Sequence, residues 1–176
     1  MQRGSEGTGI RILPVSPSAI TLPKTGPSSK AILWGGLICG VLDITAAFLV
    51  YGMFGAKLIP LLQGIAAGLL GPRAFAGGLT TAALGLLCHF VIALLAATVY
   101  YAISVGFPFV LQHAILAGVL YGVAWYFFMN RVVVPLSAAR KFPFSMKMMI
   151  IGITIHIFCV GLPIAITARR FSGRTH

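Results

Sequence analysis

Four apolar runs, each reaching the roughly 18 residues that cross a bilayer, constrain what this chain can fold into more than any other feature. They cover about Ala31 to Met53, Gly78 to Val105, Val110 to Val134 and Ser145 to Ala168, and short segments between them hold most of the charge. No water bonds a free amide or carbonyl inside hydrocarbon, so each run must satisfy its own backbone as a helix. The expected fold is all-α: one membrane domain, residues 31–168, built as a four-transmembrane-helix bundle. Residues 1–30 form a flexible polar tail and residues 169–176 a basic C-terminal tail. Between the first two spans, residues 57–71 repeat Leu58, Leu62, Ile65 and Leu69 at helical spacing. That stretch is too short to cross comfortably and reads as an interfacial or re-entrant helix.

Composition agrees with this class. The chain is 59% hydrophobic and 9% charged, too apolar for a soluble domain. Thirteen Lys and Arg stand against two acids. In a soluble protein that balance would suggest nucleic acid. Here the cations flank apolar runs, where they favour anionic lipid headgroups at basic rims, and no soluble basic face is left to bind a nucleic acid. Trp34 and Tyr51 stand like interfacial anchors at the edges of the first span. Even membrane crossings put both termini on one side. The tails carry Arg3, Arg11, Lys24, Lys30, Arg169, Arg170 and Arg174, and the connections on the other side carry Lys57, Arg73, Arg131, Arg140, Lys141 and Lys147. Charge therefore barely orients the protein; termini in the cytoplasm is the working expectation. Cys39, Cys88 and Cys159 all fall inside apolar runs at no metal-site spacing, and read as buried thiols.

The tail is rich in Pro, Ser, Gly and Thr, without apolar periodicity, and does not have the form of a secretory signal. Leu22 to Gly26 spells LPKTG, the sequence that sortases recognise. It stands ahead of the first span instead of before a last one, so the match is read as coincidence.

Chemistry concentrates on Asp43. It is one of two acids in the chain and lies near the middle of the first span; the other, Glu6, is in the tail. A carboxylate at that depth costs about 2.5–3.5 kcal/mol on insertion scales, so it needs a partner, water or a proton. Turning about 100° per residue aligns Gly36, Gly40, Asp43 and Ala47 on one stripe of the first span. The second span aligns Gly85, His89 and Tyr100 with small residues, the third Gly118, Tyr121 and Trp125 with Gly122 at the edge, and the fourth Gly152, His156, Cys159 and Pro163. Each helix thus offers a small-residue face for close packing, with Gly36, Gly40, Gly85, Gly118, Gly122 and Gly152 as the packing glycines. The candidate site is a buried polar cluster of Asp43, His89 and His156 at similar depth, supported by Cys39, Tyr100, Tyr121 and Cys159.

Several readings of that cluster stay open. One is architectural: Asp43 and a histidine form a buried pair that fixes helix register. In another, the same groups form a proton- or cation-binding relay in a small oligomeric transporter or channel. A third makes His89 and His156 the axial ligands of a haem, because second and fourth helices sit diagonally in an up-down bundle. Neither a nucleophile motif nor a zinc-protease motif nor a phosphate-cradling loop occurs, so no catalytic residue and no metal ligand is assigned. The leading reading is a non-enzymatic integral membrane protein, an accessory or interaction subunit. Cofactors and protein partners are unassigned, and self-association stays open.

The runs GLICGVLDITAAF, GIAAGLLGPRAFAGG, TAALGLLCHF, ILAGVLYGVAWYFFMN, VVVPLSA and IHIFCVGLPIA resemble a group of small, uncharacterised bacterial inner-membrane proteins. The likeness covers most of the chain from Leu33 onward. It implies four helices in a bacterial inner membrane and carries no activity or residue role with it.

Overall fold

The structure is a computed structural model that describes residues 29–140 and 143–172. Residues 1–28 of the polar tail, including the LPKTG motif, lie outside the described residues, as do Lys141 and Arg174, and the last two tail residues, Ser29 and Lys30, open the first helix. Those that are described form an all-helical fold without strands. Helix α1 covers Ser29–Met53 and α2 Leu58–Leu70, followed by a tight 3₁₀ segment, Gly71–Ala76. Helix α3 covers Gly78–Gly106 and α4 is the single turn Phe109–Gln112. Helix α5, Ala114–Phe128, continues through a wide π turn, Met129–Val133, into α6, Val134–Leu136. Helix α7, Met146–Ile155, continues through a second π turn, His156–Gly161, into α8, Leu162–Phe171.

Five helical stretches are long and apolar enough to cross a membrane, one more than the runs read from the sequence: Ser29–Met53, Leu58–Ala76, Gly78–Gly106, Ala114–Leu136 and Met146–Phe171. The additional one is α2 joined to its 3₁₀ segment. At 1.5 Å per residue the α-helical part alone is about 20 Å long, short of the roughly 30 Å hydrocarbon core. Pro60 is tolerated because it falls in the first turn, where its N–H would have no partner. Gly71 ends the helix at φ 61°, and the other two positive-φ residues among those described, Gly55 and Gly78, sit at the entrance and exit of the same segment. Only glycine adopts that backbone freely, so glycine sets all three bends of the α2 excursion.

Both π turns precede a proline, Pro135 and Pro163. A proline ring clashes with the carbonyl four residues back, here Arg131 and Cys159, and an extra residue in the preceding turn moves that carbonyl aside. The sequence expectation of a kink at Pro163 thus takes the form of a widened turn starting at His156.

The long helices alternate in direction. A Cβ on Gly36 would stand 2.9 Å from the Leu94 Cα and one on Gly40 2.7 Å from the Phe90 ring, so residue numbers rise along α1 as they fall along α3. A Cβ on Gly122 would stand 2.6 Å from the His156 carbonyl oxygen, and one on Gly118 3.2 Å from the Leu162 Cα, which makes α5 antiparallel to the α7–α8 helix. Tyr121 and Tyr100 bring α5 against α3, also antiparallel. Helix α2 packs on the first turns of α3, with Ala66 and Ala67 against Leu84, and a Cβ on Gly85 would overlap the Leu62 carbonyl oxygen. Its far side meets the segment after α6, where the Ala138 N–H donates to the Gly68 carbonyl at 3.0 Å. Helix α2 therefore bridges α3 and the end of the α5–α6 helix.

The main core occupies only one half of the bundle, the half holding both described chain ends. Cys39, Ala96, Tyr100, Ala114, Ile164 and Ala165 are buried there to within 2%. Towards the other half, which carries the α1–α2 and α6–α7 connections, burial passes to a smaller cluster of Ala66, Ala67 and Ala74 between α2 and α3. No residue of α1 beyond Ile44 is buried, none of α5 beyond Gly122, and none of α7.

Candidate functional site

The glycines set the positions of the polar side chains. With Gly36 and Gly40 flush against α3, the neighbouring face of α1 turns Cys39 and Asp43 towards the α7–α8 helix. Cys39 is fully buried. Asp43, one turn further, is half-buried, and its carboxylate acts electrostatically on the Cys39 and Cys159 thiols. Among the described residues it has neither a hydrogen bond nor an ion pair.

Both histidines use backbone carbonyls. His89 Nε2–H donates to the Gly40 carbonyl at 2.9 Å, tying α3 to α1 one turn from Asp43. A carbonyl can only accept, so this bond fixes the tautomer with the proton on Nε2. His156 Nδ1–H donates to the Gly152 carbonyl of its own helix at 2.9 Å, and its ring stands edge-on to Tyr126 at 5.4 Å. Gly152 is what admits Tyr126, since a Cβ there would stand 2.5 Å from its ring. His89 and His156 thus point at different neighbours, α1 and α5. Three residues separate His156 from Cys159, about 4.5 Å of helix rise, so Asp43 and both imidazoles lie within about one turn of each other in depth. They share a level and make no hydrogen bond among themselves.

The aromatic residues lie on the buried side of this level. Tyr121 Oη–H donates to the Ala96 carbonyl at 2.7 Å, holding α5 against α3. Its ring meets that of Tyr100 edge-on at 5.0 Å and stacks on Trp125 at 5.8 Å. Tyr100 is 1% exposed, and its hydroxyl has no hydrogen-bond partner. Electrostatic contact links Tyr121 to both Cys39 and Tyr100. Cys39 and Tyr100 thus lie in the core with Tyr121 packed against it, while Asp43 and Cys159 are only half-buried. Among the described residues no group of three or more His, Cys, Asp or Glu is placed to hold a metal ion.

Two residues outside the sequence reading matter here. Gln63 is 4% exposed, and its Nε2 donates to the Gly78 carbonyl at 2.9 Å and to Thr81 Oγ1 at 3.3 Å. Thr81 in turn donates to the Ala74 carbonyl at 2.6 Å, so the two side chains clamp α2 and its 3₁₀ segment to the start of α3. A lone glutamine in the apolar stretch LIPLLQGIAAGLL was the available signal. Tyr126, which packs against both His156 and Gly152, gave none, because aromatics near a span's end are usually interfacial. Comparison with known proteins finds no match for this chain: no family model, no curated protein and no solved structure.

Proposed function

We propose that this is a four-span bacterial inner-membrane protein, non-enzymatic, in which Asp43 is the working group of a proton- or cation-linked transport step. Antiparallel packing of α1 on α3 supports four spans. If α1 and α3 both cross, the intervening residues 54–77 leave and return on the same side, which makes α2 a re-entrant excursion.

One observation carries the transport reading: Asp43 stands unpaired and half-buried at mid-depth, where a purely architectural carboxylate would be bonded to its histidine. The histidines instead satisfy backbone carbonyls, which favours a structural part for both and leaves the haem reading without a facing pair of imidazoles. Cations lie at the end with the α1–α2 and α6–α7 connections and no second acid accompanies Asp43 among the described residues, so the surroundings favour a proton over a metal ion, which would need several oxygen ligands.

The test is flux in liposomes. Protein reconstituted with a pH-sensitive dye should dissipate an imposed proton gradient faster than empty vesicles, and Asp43→Asn should return the rate to that of empty vesicles. Equal rates for the natural protein and Asp43→Asn would refute a working carboxylate. An interaction subunit is the second reading, favoured by the third span. Only 6% of its most apolar stretch is buried, against 22–28% in the others, so α5 has the most free surface for a partner helix.

A further inference from the structure

The helix that carries Cys159 is seated in two different ways along its length. Its second part, α8, buries Ile164, Ala165, Thr167 and Ala168. The π turn before α8 is pressed backbone to backbone on α5: a Cβ on Gly161 would overlap the Gly118 carbonyl oxygen, and one on Gly122 would stand 2.6 Å from the His156 carbonyl oxygen. The first part, α7, buries none of its ten residues. Two side-chain contacts seat it. Tyr126 of α5 lays its ring against Gly152, and Lys147 reaches the end of α1, its Nζ 4.9 Å from the centre of the Phe54 ring. Contacts of this kind part and re-form by rotamer changes, whereas close-packed backbones move only together.

The joint between the two parts is the π turn His156–Gly161. Such turns inside α-helices are rare and fall at functional positions. Pro163 weakens this one further, because it has no N–H to give the Cys159 carbonyl, so the ladder lacks a rung there. Asp43 lies at the level of the turn, and its carboxylate acts on the Cys159 thiol within it. Towards the described chain ends that level is closed by the main core, which includes Cys39, Val160 and Ile164.

From this we infer that α7 is a gate: it pivots on the His156–Gly161 turn, swings off Tyr126 and Phe54, and admits water to Asp43 from the side of the α1–α2 and α6–α7 connections. A segment turning on a few hinge residues is a common form of such opening. The gate rests on the transport reading for its purpose, since a carboxylate that carries protons must meet water on one side at a time.

Cys159 is a built-in reporter, because a charged methanethiosulfonate reacts with a thiolate in water and not with a thiol in hydrocarbon. Protein in liposomes is treated with the reagent on both faces, and each cysteine is read by peptide mass spectrometry. Cys159 should react, more slowly than an exposed control, Phe54→Cys, while Cys39 in the core stays unmodified. Tyr126→Ala removes the seat of α7 and should speed Cys159 modification about two- to tenfold, the worth of one ring contact. Lys147→Gln, at an exposed position, serves where Tyr126→Ala does not fold. Pro163→Ala gives the turn its missing N–H and should slow modification about two- to tenfold, the worth of one hydrogen bond. The gate is overturned by a Cys159 that stays untouched while Phe54→Cys reacts fully, by one that reacts as fast as Phe54→Cys, or by a rate that these substitutions leave unchanged or move the other way. Asp43→Asn separates the two ideas. Flux indifferent to it, with Cys159 still answering to Tyr126→Ala and Pro163→Ala, removes the transport reading and keeps the gate; flux that needs Asp43, with an unreactive Cys159, does the reverse.

Discussion

Gly122→Ala tests whether the seam between α5 and the α7–α8 helix is as tight as its glycines imply. The new Cβ would stand 2.6 Å from the His156 carbonyl oxygen, 2.7 Å from the Ile157 Cα and 2.9 Å from the His156 carbonyl carbon. All three are backbone atoms, so no rotamer change relieves the overlap. Restoring an ordinary contact of about 3.5 Å requires the helices to part by about 1 Å, a gap that forfeits a quarter to a half of each contact along the seam. Overpacking of this kind costs about 1–3 kcal/mol. The seam cannot yield elsewhere, because a Cβ on Gly161 would overlap the Gly118 carbonyl oxygen. The upper part of that range therefore applies. Against it stands the helix propensity of alanine over glycine, about 1 kcal/mol. The net expectation is a loss of about 2 kcal/mol, roughly thirtyfold in the unfolding equilibrium. Gly64→Ala is the control: nothing lies within 4 Å of a Cβ there, so the variant should gain stability by up to about 1 kcal/mol through propensity. Equilibrium unfolding in mixed micelles, followed by circular dichroism, measures both. If Gly122→Ala unfolds at the same denaturant fraction as the natural protein, the close-packed seam is wrong.

Tyr121→Phe should destabilise by about 1 kcal/mol, since it deletes the bond to the Ala96 carbonyl, whereas Tyr100→Phe removes an unpartnered buried hydroxyl and should be neutral or stabilising; the same unfolding assay compares them, and a Tyr100→Phe loss as large as that of Tyr121→Phe would mean the Tyr100 hydroxyl has a partner. Gln63→Leu should loosen α2 from α3 because the bonds to the Gly78 carbonyl and to Thr81 Oγ1 are lost, at about 0.5–1.5 kcal/mol each. Faster proteolysis or hydrogen exchange confined to residues 54–77 would register it, and unchanged protection would remove the clamp from the argument. His89→Phe should cost about 1 kcal/mol by losing the bond to the Gly40 carbonyl, whereas Asp43→Asn, at a residue with no bond to lose, should leave stability nearly unchanged. Equal losses from both would place Asp43 in the structural network.

Much of the architecture is legible in the chain because membrane helices obey length and hydropathy with little tertiary influence. Apolar runs mark four of the five helical stretches that are long and apolar enough to cross a membrane, and the stripe containing Gly36 and Gly40 marks the α1 face that packs on α3. Gly118 and Gly122, a cheap motif in a glycine-rich sequence, turn out to touch the His156–Leu162 backbone within the same chain. Periodicity also put Asp43, His89 and His156 at one level. What each side chain bonds to was not legible, because a helical wheel fixes direction about the axis and says nothing of which neighbour the crossing presents. At Gly40 the crossing of α3 puts a backbone carbonyl in reach of His89, while at Asp43 the crossing helix brings the Cys159 thiol and no imidazole bond.

The sequence by itself determined that the chain is helical and of membrane type, because hydrocarbon leaves a backbone no partner except its own, and it determined where small residues permit close approach. Only the tertiary structure decided that the main core lies at one end while a smaller cluster between α2 and α3 forms at the other. That outcome depends on α2 reaching across from α3 to the segment after α6, held by the Gln63 amide and the Ala138 N–H. These are contacts between residues far apart in the chain, and no local pattern encodes them.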